Sequence, residues 1–368
     1  MRSFTDRVSD IDISGIRKMF EAKKTDSINL GLGEPDVPTP DHICDAAIDA
    51  IRKGYTKYTP GAGIPELKSA LSEKFLRDNN ISVTPDEIIV TSGASEALHI
   101  AMQALVEPGD DVLIPDPGFV SYSALSRIAG GKVIGVPLVD LLLDPAVVAE
   151  HITRNTKVLF VNSPSNPCGS VQSRKDMQAF AELAEDYDFT IISDEVYEFL
   201  IYEGEHISPA QFTDNVITVN AASKTYSMTG WRLGYLAARH EYIEQFQKVH
   251  QYVQACASSV AQAAALAAVT GPQGCVKDMR EKFRKRRDIL LKGLREMGVE
   301  CPTPKGAFYL FPRVDDGDHI ASELAERGVI TVPGSAFGSH GREHIRISYA
   351  ASEADIMRAL DIMGDVLL

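Results

Sequence analysis

Short runs of β-forming residues alternate with helical patterns along most of the chain, and this alternation limits the possible fold more than any other feature. The runs are EIIVTS, DVLIPD, KVIGVPL, KVLFVNS, FTIISDE, VITVNA and LGYLAA. Helical patterns such as ASEALHIAMQAL and SRKDMQAFAELAEDY lie between most of them. Strands that alternate with helices predict a mainly parallel central sheet with helices on both faces, which is an α/β fold.

The pattern changes after residue 271. One long helix is predicted from about Val276 to Met297, because its apolar residues recur at helical spacing. The short runs AFYLFP, VITVPG and HIRISYA follow it and indicate a smaller α+β unit. A chain of 368 residues is long enough for two domains. We predict a large domain over residues 41–271, and a small domain made of residues 272–368 with the loop-rich segment 1–40 packed against it.

Composition excludes several classes of protein. The formal net charge of -14 opposes binding to nucleic acid and to anionic membranes. Five scattered cysteines without a CxxC pair favour free thiols in a reducing cytoplasm over a disulfide framework or a zinc site. The first twenty residues lack the apolar core of a signal peptide. The small-apolar run at 256–269 is too short to span a bilayer and predicts a buried helix.

Several polar residues fall at the predicted ends of strands, where sheets of this kind bind their ligands. Lys224 follows VITVNA and Arg232 precedes LGYLAA, while Asp194 ends FTIISD and Asn166 follows KVLFV between two prolines. Taken singly, Asp194 is explained as the cap of a following helix and Asn166 as a turn residue. Arg346 lies inside a predicted strand with apolar neighbours, which indicates a carboxylate ligand or, alternatively, a structural ion pair.

The segment TSGASEAL combines a strand end, a turn of small residues and the start of a helix. Its backbone N–H groups at Gly93, Ala94 and Ser95 are suited to binding a phosphate at a helix N-terminus. A plain capped turn would give the same pattern. The chain contains no P-loop and no GxGxxG motif.

Together, a lysine, a phosphate-binding turn, an acid, an asparagine and a spare arginine are what pyridoxal phosphate chemistry needs. At this point the sequence resembles the class I aminotransferases of PLP fold type I. The most specific motif is SKTYSMTGWRLGY, accompanied in the same order by YTPGAGIPELKSAL, NP-x-G and SDEVY. The resemblance extends from GLGEPD to HIRISYA. It implies a transaminase of the PLP fold type I architecture.

The resemblance also implies how the cofactor ring is held. Lys224 corresponds to the lysine that forms a Schiff base with pyridoxal 5'-phosphate and later moves the proton. Asp194 corresponds to the partner of the pyridine nitrogen. Asn166 and Tyr197 correspond to the residues that hydrogen-bond the phenolic oxygen, and Phe119 to the aromatic side chain that stacks on the ring.

The phosphate contacts follow from the same resemblance. Arg232 corresponds to the arginine that grips the phosphate. Ser223 substitutes for a phosphate-binding serine that some members carry where this chain has Ala221. Tyr58 corresponds to a tyrosine that reaches the phosphate of the neighbouring subunit, which implies a homodimer. The phosphate-binding turn is formed by Gly93, Ala94 and Ser95.

The substrate-binding residues implied in this way are Gly33, Asn166 and Arg346, with Arg346 as the clamp on the α-carboxylate. Ser95 stands where one prokaryotic subgroup carries a lysine for acidic substrates, so that route to aspartate recognition is missing. We expect the substrate side chain to meet residues 11–16 and the GAFYLF run, although GAFYLF fits a core strand equally well. Aspartate-type, aromatic and neutral donors stay open, with a 2-oxo acid such as 2-oxoglutarate as acceptor.

Three other functions use the same residues or the same fold. A PLP-dependent lyase or decarboxylase would share every cofactor contact. A non-enzymatic PLP-binding regulator is a second alternative, although no basic helix-turn-helix pattern precedes the site and the net charge opposes DNA binding. A protein that merely kept the fold would not need Lys224, Asp194, Arg232 and Arg346 together.

Overall fold

A seven-stranded sheet forms the centre of the protein in the computed structural model, which describes residues 4–9, 11, 15 and 27–367. The strand order is β2-β8-β7-β6-β5-β3-β4, and only β8 runs antiparallel to its neighbours. The predicted α/β fold with a mainly parallel sheet is therefore confirmed. The strands are β2 Ile88–Thr91, β3 Asp111–Asp116, β4 Lys132–Pro137, β5 Thr156–Asn162, β6 Thr190–Asp194, β7 Val216–Ala221 and β8 Gly234–Ala237.

Helices cover both faces of this sheet because alternate strand residues point to opposite sides. Val158 and Phe160 belong to one buried apolar cluster, and Leu159 and Val161 belong to another on the opposite face. The helices in this part of the chain are α1 Asp6–Ser9, α2 Asp41–Arg52, α3 Pro65–Lys74, α4 Ala94–Leu105, α5 Val120–Ala129, α6 Pro145–His151, α7 Arg174–Asp186, α8 Ala222–Thr225, α9 His240–Val253 and α10 Ser259–Thr270. The buried helix predicted at 256–269 is α10. Among the described residues, no helix is both long and apolar enough to cross a membrane.

A second, smaller unit follows α10. The predicted long helix is observed as Gly274–Glu296, close to its expected limits. Strand β1 pairs in parallel with β10, and β12 pairs antiparallel with both β11 and β9. The elements are α11 Gly274–Glu296, α12 Gly317–Glu326, α13 Glu353–Leu367, β1 Ile28–Asn29, β9 Tyr309–Leu310, β10 Val329–Ile330, β11 Val332–Pro333 and β12 Ile345–Ser348.

The N-terminal segment divides its contacts between the two units. Strand β1 joins the small unit, as expected for residues 1–40, but α1 lies against α5 of the large unit. The assignment of residues 1–40 to the small domain stays a prediction. Residues 12–14 and 16, expected to meet the substrate side chain, lie outside the described residues. The domain limits at 40/41 and 271/272 stay a prediction.

Because β8 runs in the reverse direction, Arg232, which lies just before it, is at the same edge of the sheet as Lys224, which follows β7. Parallel strands collect their carboxyl ends at one edge of a sheet, and an antiparallel strand presents its amino end there. Lys224 follows β7 in the one-turn helix α8, and Arg232 directly precedes β8. The two residues therefore meet at the same edge, although the chain turns back between them.

Candidate active site

Lys224 projects from α8 toward the N-terminal segment that leads from β1. Its Nζ donates a hydrogen bond of 2.6 Å to the carbonyl oxygen of Gly33. Burial lowers the pKa of this amine from 10.5 to about 8, helped by the positive charges of Arg346 and Arg232 and opposed by Glu34. About a tenth of the amine is therefore neutral at pH 7, far more than for an ordinary lysine, and the neutral form is the one that acts as a nucleophile or a base.

Asp194 ends β6 with its side chain buried. Tyr122 donates a hydrogen bond of 2.8 Å to its Oδ2, and the backbone N–H of Val196 lies 3.4 Å from Oδ1. Burial raises the pKa of Asp194 to about 6, although the hydrogen bond from Tyr122 opposes the rise. The residues after Asp194 form turns instead of a helix, so its interpretation as a helix cap is wrong.

Arg346 lies in β12 with only 1% of its surface exposed. Its Nη1 donates to Oδ1 of Asn166 at 2.9 Å, and its Nη2 donates to the carbonyl oxygen of Gly31 at 2.6 Å. The Nε has no hydrogen-bond partner among the described residues, and the guanidinium lies 4.5 Å from the ring centre of Tyr309 and 4.9 Å from that of Phe337. Burial lowers the pKa of Arg346.

The structural ion pair considered for this arginine is not observed. Among the residues that the structure describes, no carboxylate forms an ion pair with Arg346, and its polar contacts are with Asn166 and Gly31. A buried cation without a counter-ion is unfavourable until an anion binds to it. The site is therefore suited to receive a carboxylate.

Asn166 and Tyr197 both lie close to Arg346. Because Oδ1 of Asn166 accepts from Arg346, its amide NH₂ is the donor that remains. The hydroxyl of Tyr197 shares a hydrogen bond of 2.8 Å with that of Tyr309, and the two rings meet edge to face. Tyr309 thus links the predicted Tyr197 to the predicted Arg346.

The predicted phosphate-binding turn is built around Gly93, which has a φ of 77° and directly precedes α4. A Cβ added at this position would lie 2.6 Å from Nη2 of Arg232, so the absence of a side chain makes room for the guanidinium. Arg232 donates to the carbonyl oxygen of Thr229 at 3.0 Å. Ser95 is exposed in the first turn of α4, and Ser223 is buried in α8. A helix N-terminus and an arginine therefore meet at one point.

Phe119 and Tyr58 differ in their surroundings. Phe119 is partly buried and meets Tyr122 edge to face, with 5.6 Å between the ring centres. Tyr58 has 88% of its surface exposed in the single chain.

Sequence analysis missed three residues that contact the predicted set. Tyr122 bonds Asp194, and its spacing of three from Phe119 on α5 was the available signal. Asn162 bonds the backbone of both Asn166 and Asp194 at 2.8 Å, and it is the last residue of β5. Tyr309 lies in the GAFYLF run, for which the sequence predicted either contact with the substrate or a core strand without singling out any residue.

These residues fit pyridoxal phosphate. A glycine cradle beside an arginine suits the phosphate, and a buried carboxylate suits a protonated ring nitrogen. An amine with a lowered pKa suits an aldehyde, and an unpaired guanidinium suits a carboxylate. Fold and site together define a vitamin B6 enzyme that acts on amino acids.

Comparison with known proteins supports this conclusion. The family described as "Aminotransferase class I and II" matches residues 25–363. The chain is 47% identical over 370 residues to a "Probable aspartate aminotransferase" of Methanocaldococcus jannaschii, covering 98% of each chain. It is 44% identical to an "Aspartate/prephenate aminotransferase" of Thermus thermophilus, covering 93% of this chain and 91% of the other. It is similar to the solved aspartate aminotransferase from Thermus thermophilus with maleate, at 41% identity, a TM-score of 0.96 and full coverage of both chains.

The chain belongs to the class I and II aminotransferase family. It is a pyridoxal phosphate-dependent aminotransferase with the PLP type I fold, which confirms the predicted family, fold, cofactor and enzyme class. It transfers amino groups between amino acids and 2-oxo acids.

Proposed function

We propose that the enzyme transfers the amino group of aspartate to a 2-oxo acid such as 2-oxoglutarate. The observation that carries the proposal is the buried guanidinium of Arg346, which has no carboxylate partner in the described part of the chain and lies beside the amide of Asn166 and near the amine of Lys224. A substrate α-carboxylate supplies the missing anion, because its two oxygens match the planar guanidinium. The bond from the α-carbon to hydrogen then lies close to the amine that removes the proton.

The phosphate of the cofactor is held at the edge formed by α4 and the start of β8. Pyridoxal phosphate, when bound, supplies an aldehyde that captures amines and a ring that accepts electrons. Arg232 contributes its guanidinium, and Ser223 contributes a hydroxyl group. The backbone N–H groups at the start of α4 complete the site, because a helix N-terminus attracts anions. These groups belong to Gly93, Ala94 and Ser95.

The cofactor ring is oriented by residues from three strand ends. The carboxylate of Asp194, which Tyr122 holds in place through a hydrogen bond, would accept from a protonated ring nitrogen. The amide of Asn166 and the hydroxyl of Tyr197 donate to the phenolic oxygen. Phe119 packs on the ring face. Because the Asp194 site excludes water, its charge acts strongly on the ring.

Lys224 moves the proton. Lys224 would hold the cofactor through its amine, and its free Nζ would accept the proton from the substrate α-carbon. A pKa of about 8 allows this amine to accept and release a proton near neutral pH. The carbonyl of Gly33, which accepts from Nζ in this structure, gives the amine a fixed position next to the site of the substrate carboxylate.

The choice of aspartate is supported by the names of the relatives. Proteins at 47% and 41% identity are named as probable and established aspartate aminotransferases, whereas an "Aromatic-amino-acid aminotransferase 2" is 38% identical. Ser95 cannot supply the cation that the second carboxylate of aspartate needs. That carboxylate must therefore be bound by a different residue, and an aromatic donor is the outcome that would contradict this choice.

We also propose a homodimer with Tyr58 reaching the phosphate of the partner subunit. Large apolar side chains are exposed around Tyr58, and a hydrogen bond of 2.8 Å from Ser259 to the carbonyl of Tyr55 joins the two chain segments that carry them. The exposed side chains are Ile51, Tyr55, Tyr58, Tyr252 and Val253. Such a patch favours a protein interface. Sedimentation of the holoenzyme as a monomer at micromolar concentration would contradict the dimer.

A cytoplasmic location agrees with the free state of all five cysteines, which are Cys44, Cys168, Cys256, Cys275 and Cys301. Thiols of this kind persist in a reducing compartment.

A donor panel tests the proposed reaction. The holoenzyme is given nitrogen-labelled aspartate, tyrosine, alanine or leucine together with 2-oxoglutarate, and the label is followed by mass spectrometry. We expect labelled glutamate, formed fastest from aspartate. Faster transfer from tyrosine would overturn the donor. Release of ammonia or carbon dioxide without labelled glutamate would indicate a lyase or a decarboxylase.

A further inference from the structure

Four charged side chains lie buried beside the turn that carries Asp194 and Tyr197, and none of them belongs to the proposed active site. They are Glu195, Glu198, Lys74 and His206, which we call the four-charge cluster. His206 Nε2 lies 2.8 Å from Oε2 of Glu195, and Lys74 Nζ donates to Oε1 of Glu198. The side chains of all four are between 1% and 7% exposed. Charges buried to this extent are retained only when they are paired.

Each carboxylate of the cluster receives further hydrogen bonds. Glu195 accepts from the hydroxyl of Ser193 at 2.8 Å and from that of Ser208 at 2.6 Å. Glu198 accepts from the amide of Asn79 at 2.6 Å. The two carboxylates therefore tie the turn to two other segments, one at the end of α3 and one around residues 206–208.

The cluster is balanced without an additional ion. Burial lowers the pKa of His206, but the adjacent carboxylate of Glu195 more than offsets this, and the net pKa is raised. Burial raises the pKa of Glu195, yet His206 and the hydroxyl donors reverse the effect and lower it overall. Oxygen and nitrogen atoms of Glu195, Glu198 and His206 lie within 4.8 Å of one another, as in a metal site. The amine of Lys74 already provides the second positive charge, so two cations face two anions.

The turn has little backbone structure of its own to fix it. Strand β6 ends at Asp194, and no helix follows. Among the described residues, the backbone N–H groups between Glu195 and Leu200 that donate to backbone carbonyls are those of Glu195 to Val219, Glu198 to Glu195 and Leu200 to Tyr197, and the carbonyl of Leu200 accepts from Ala307 at the end of the turn. In the sequence SDEVYE the two glutamates alternate with the two residues that face the cofactor site. Side-chain contacts must therefore determine where Asp194 and Tyr197 lie.

We propose that Glu195 and Glu198 are positioning residues, whose buried contacts with His206 and Lys74 hold the turn so that Asp194 and Tyr197 face the cofactor. This inference rests on the cofactor contacts proposed above for Asp194 and Tyr197. The positive partners have a second effect. They cancel the negative charge of Glu195, which otherwise acts on the neighbouring Asp194 and opposes its ionisation.

The test compares the holoenzymes of Glu195→Gln, His206→Gln and the double variant. Gln keeps the size of Glu but removes its charge, so each single variant leaves one buried charge unbalanced. We expect each single variant to lose its cofactor about tenfold faster on dialysis and to shift the pH midpoint of the cofactor absorbance. The double variant should recover part of both changes, because neither charge remains.

Controls separate positioning from general stability. His319→Gln removes an exposed histidine that also pairs with a glutamate, Glu323, and should leave the rate of cofactor loss and the absorbance midpoint at wild-type values. If Glu195→Gln does not fold, Ser208→Ala removes one hydrogen bond to Glu195 and should give a smaller change of the same kind. The proposal is overturned if the folded variants lose thermal stability but keep the wild-type rate of cofactor loss and absorbance midpoint.

Asp194→Asn distinguishes failure of this inference from failure of the proposed active site. If Asp194→Asn changes the absorbance midpoint but the Glu195 and His206 variants do not, only the positioning role is wrong. If Asp194→Asn also leaves the absorbance midpoint unchanged, the proposed contact with the ring nitrogen is wrong, and the positioning role fails with it.

Discussion

The structure holds two groups of buried charged side chains that share the turn after β6, and they differ in how their charges are balanced. In the four-charge cluster each carboxylate has a cation and at least one neutral donor against it. In the active site, Arg346 has no carboxylate partner among the described residues, and Lys224 donates its hydrogen bond to a carbonyl oxygen, that of Gly33. The charges of the four-charge cluster balance one another, whereas the active site needs a cofactor and a substrate to supply the partners of its polar groups.

This difference indicates that the four-charge cluster makes the structure rigid, whereas the active site keeps reactive groups. Removing one partner of a buried ion pair is strongly destabilising, because the other charge is then left buried without a partner. Buried charges without a counter-ion are unfavourable in the empty protein, and burial shifts the pKa of Lys224 down and that of Asp194 up, toward neutral pH. The predictions below test whether the two groups respond to substitution in these opposite ways.

The largest effect is expected for Lys224→Ala. The variant should fold and bind pyridoxal phosphate without covalent attachment, but kcat should fall by about 10⁴–10⁶, because nucleophile and base are lost together. Steady-state rates and circular dichroism check both parts. Lys292→Ala, which removes an exposed lysine paired with Glu296, is the control. Wild-type turnover by Lys224→Ala would remove this residue from the mechanism.

Arg346→Gln should have the next largest effect. Loss of the only guanidinium proposed for the α-carboxylate should lower kcat/KM for the amino donor by about 10²–10³, mostly through KM. Arg346→Lys should recover only part of the loss, because an ammonium group cannot bond two oxygens in parallel. Arg327→Gln, on the surface, serves as the control. An unchanged KM would show that the carboxylate binds elsewhere.

Asp194→Asn and Glu198→Gln compare the two groups directly by their effect on stability. In the cofactor-free protein the pKa of Asp194 is raised from 3.8 to about 6, so its neutral form stabilises the fold at low pH, and this stabilisation is lost as pH rises from about 4 to 6. Asp194→Asn should remove that loss and raise the free energy of unfolding at pH 7 by about 3 kcal/mol. Glu198→Gln should lower it by about 3–5 kcal/mol.

Denaturant titrations at pH 4 and pH 7 measure these changes. The comparison fails if both variants lower the free energy of unfolding by similar amounts. For Asp194→Asn we also expect kcat to fall by about 10²–10³, the usual effect of losing one charge arranged for the transition state. A gain in stability with a loss of activity is the signature of a functional buried charge.

The pH dependence of Lys224 gives a smaller effect. In the cofactor-free protein, the rate at which pyridoxal phosphate attaches covalently should rise about tenfold per pH unit below about pH 8 and level off above it, because only the neutral amine reacts. Stopped-flow absorbance between pH 6 and pH 9.5 measures the midpoint. A midpoint near 10.5 would mean that burial does not shift the pKa of this amine.

The smallest effect is expected for Tyr122→Phe. This change removes one hydrogen bond to the buried Asp194 without altering the ring packing against Phe160. The pKa of Asp194 should rise further, and kcat should fall about five- to tenfold, which corresponds to about 1 kcal/mol. The Asp194→Asn background provides the test, since Tyr122→Phe should change kcat much less there. An equal loss in both backgrounds would assign Tyr122 a role independent of Asp194.

The central sheet and the residues at its edge were predictable from the sequence. A parallel sheet places the residues that follow its strands at one edge, so the order of strands and polar residues was enough to group Lys224, Asp194 and Asn166. Arg232 joins them because β8 is reversed, which alternation of strands and helices does not reveal. Its role came from the resemblance of SKTYSMTGWRLGY to a known family.

The contacts that depend on distant packing were not predictable. Lys74 and Glu198 are 124 residues apart, and the amphipathic pattern of α3 does not show that its last lysine is buried. The same applies to Tyr309, which is 112 residues from Tyr197 but shares a hydrogen bond with it. Such pairs follow from tertiary packing, within the large unit for Lys74 and Glu198 and between the two units for Tyr197 and Tyr309, and they leave no local spacing in the sequence.

Borohydride reduction of the holoenzyme tests the central claim most directly. Reduction fixes the bond between the cofactor and the amine that holds it, and peptide mass mapping then identifies the residue. We expect one pyridoxyl group per chain, attached to Nζ of Lys224, and none in Lys224→Ala. Attachment at any other lysine, or no attachment at all in active enzyme, would contradict the proposed site.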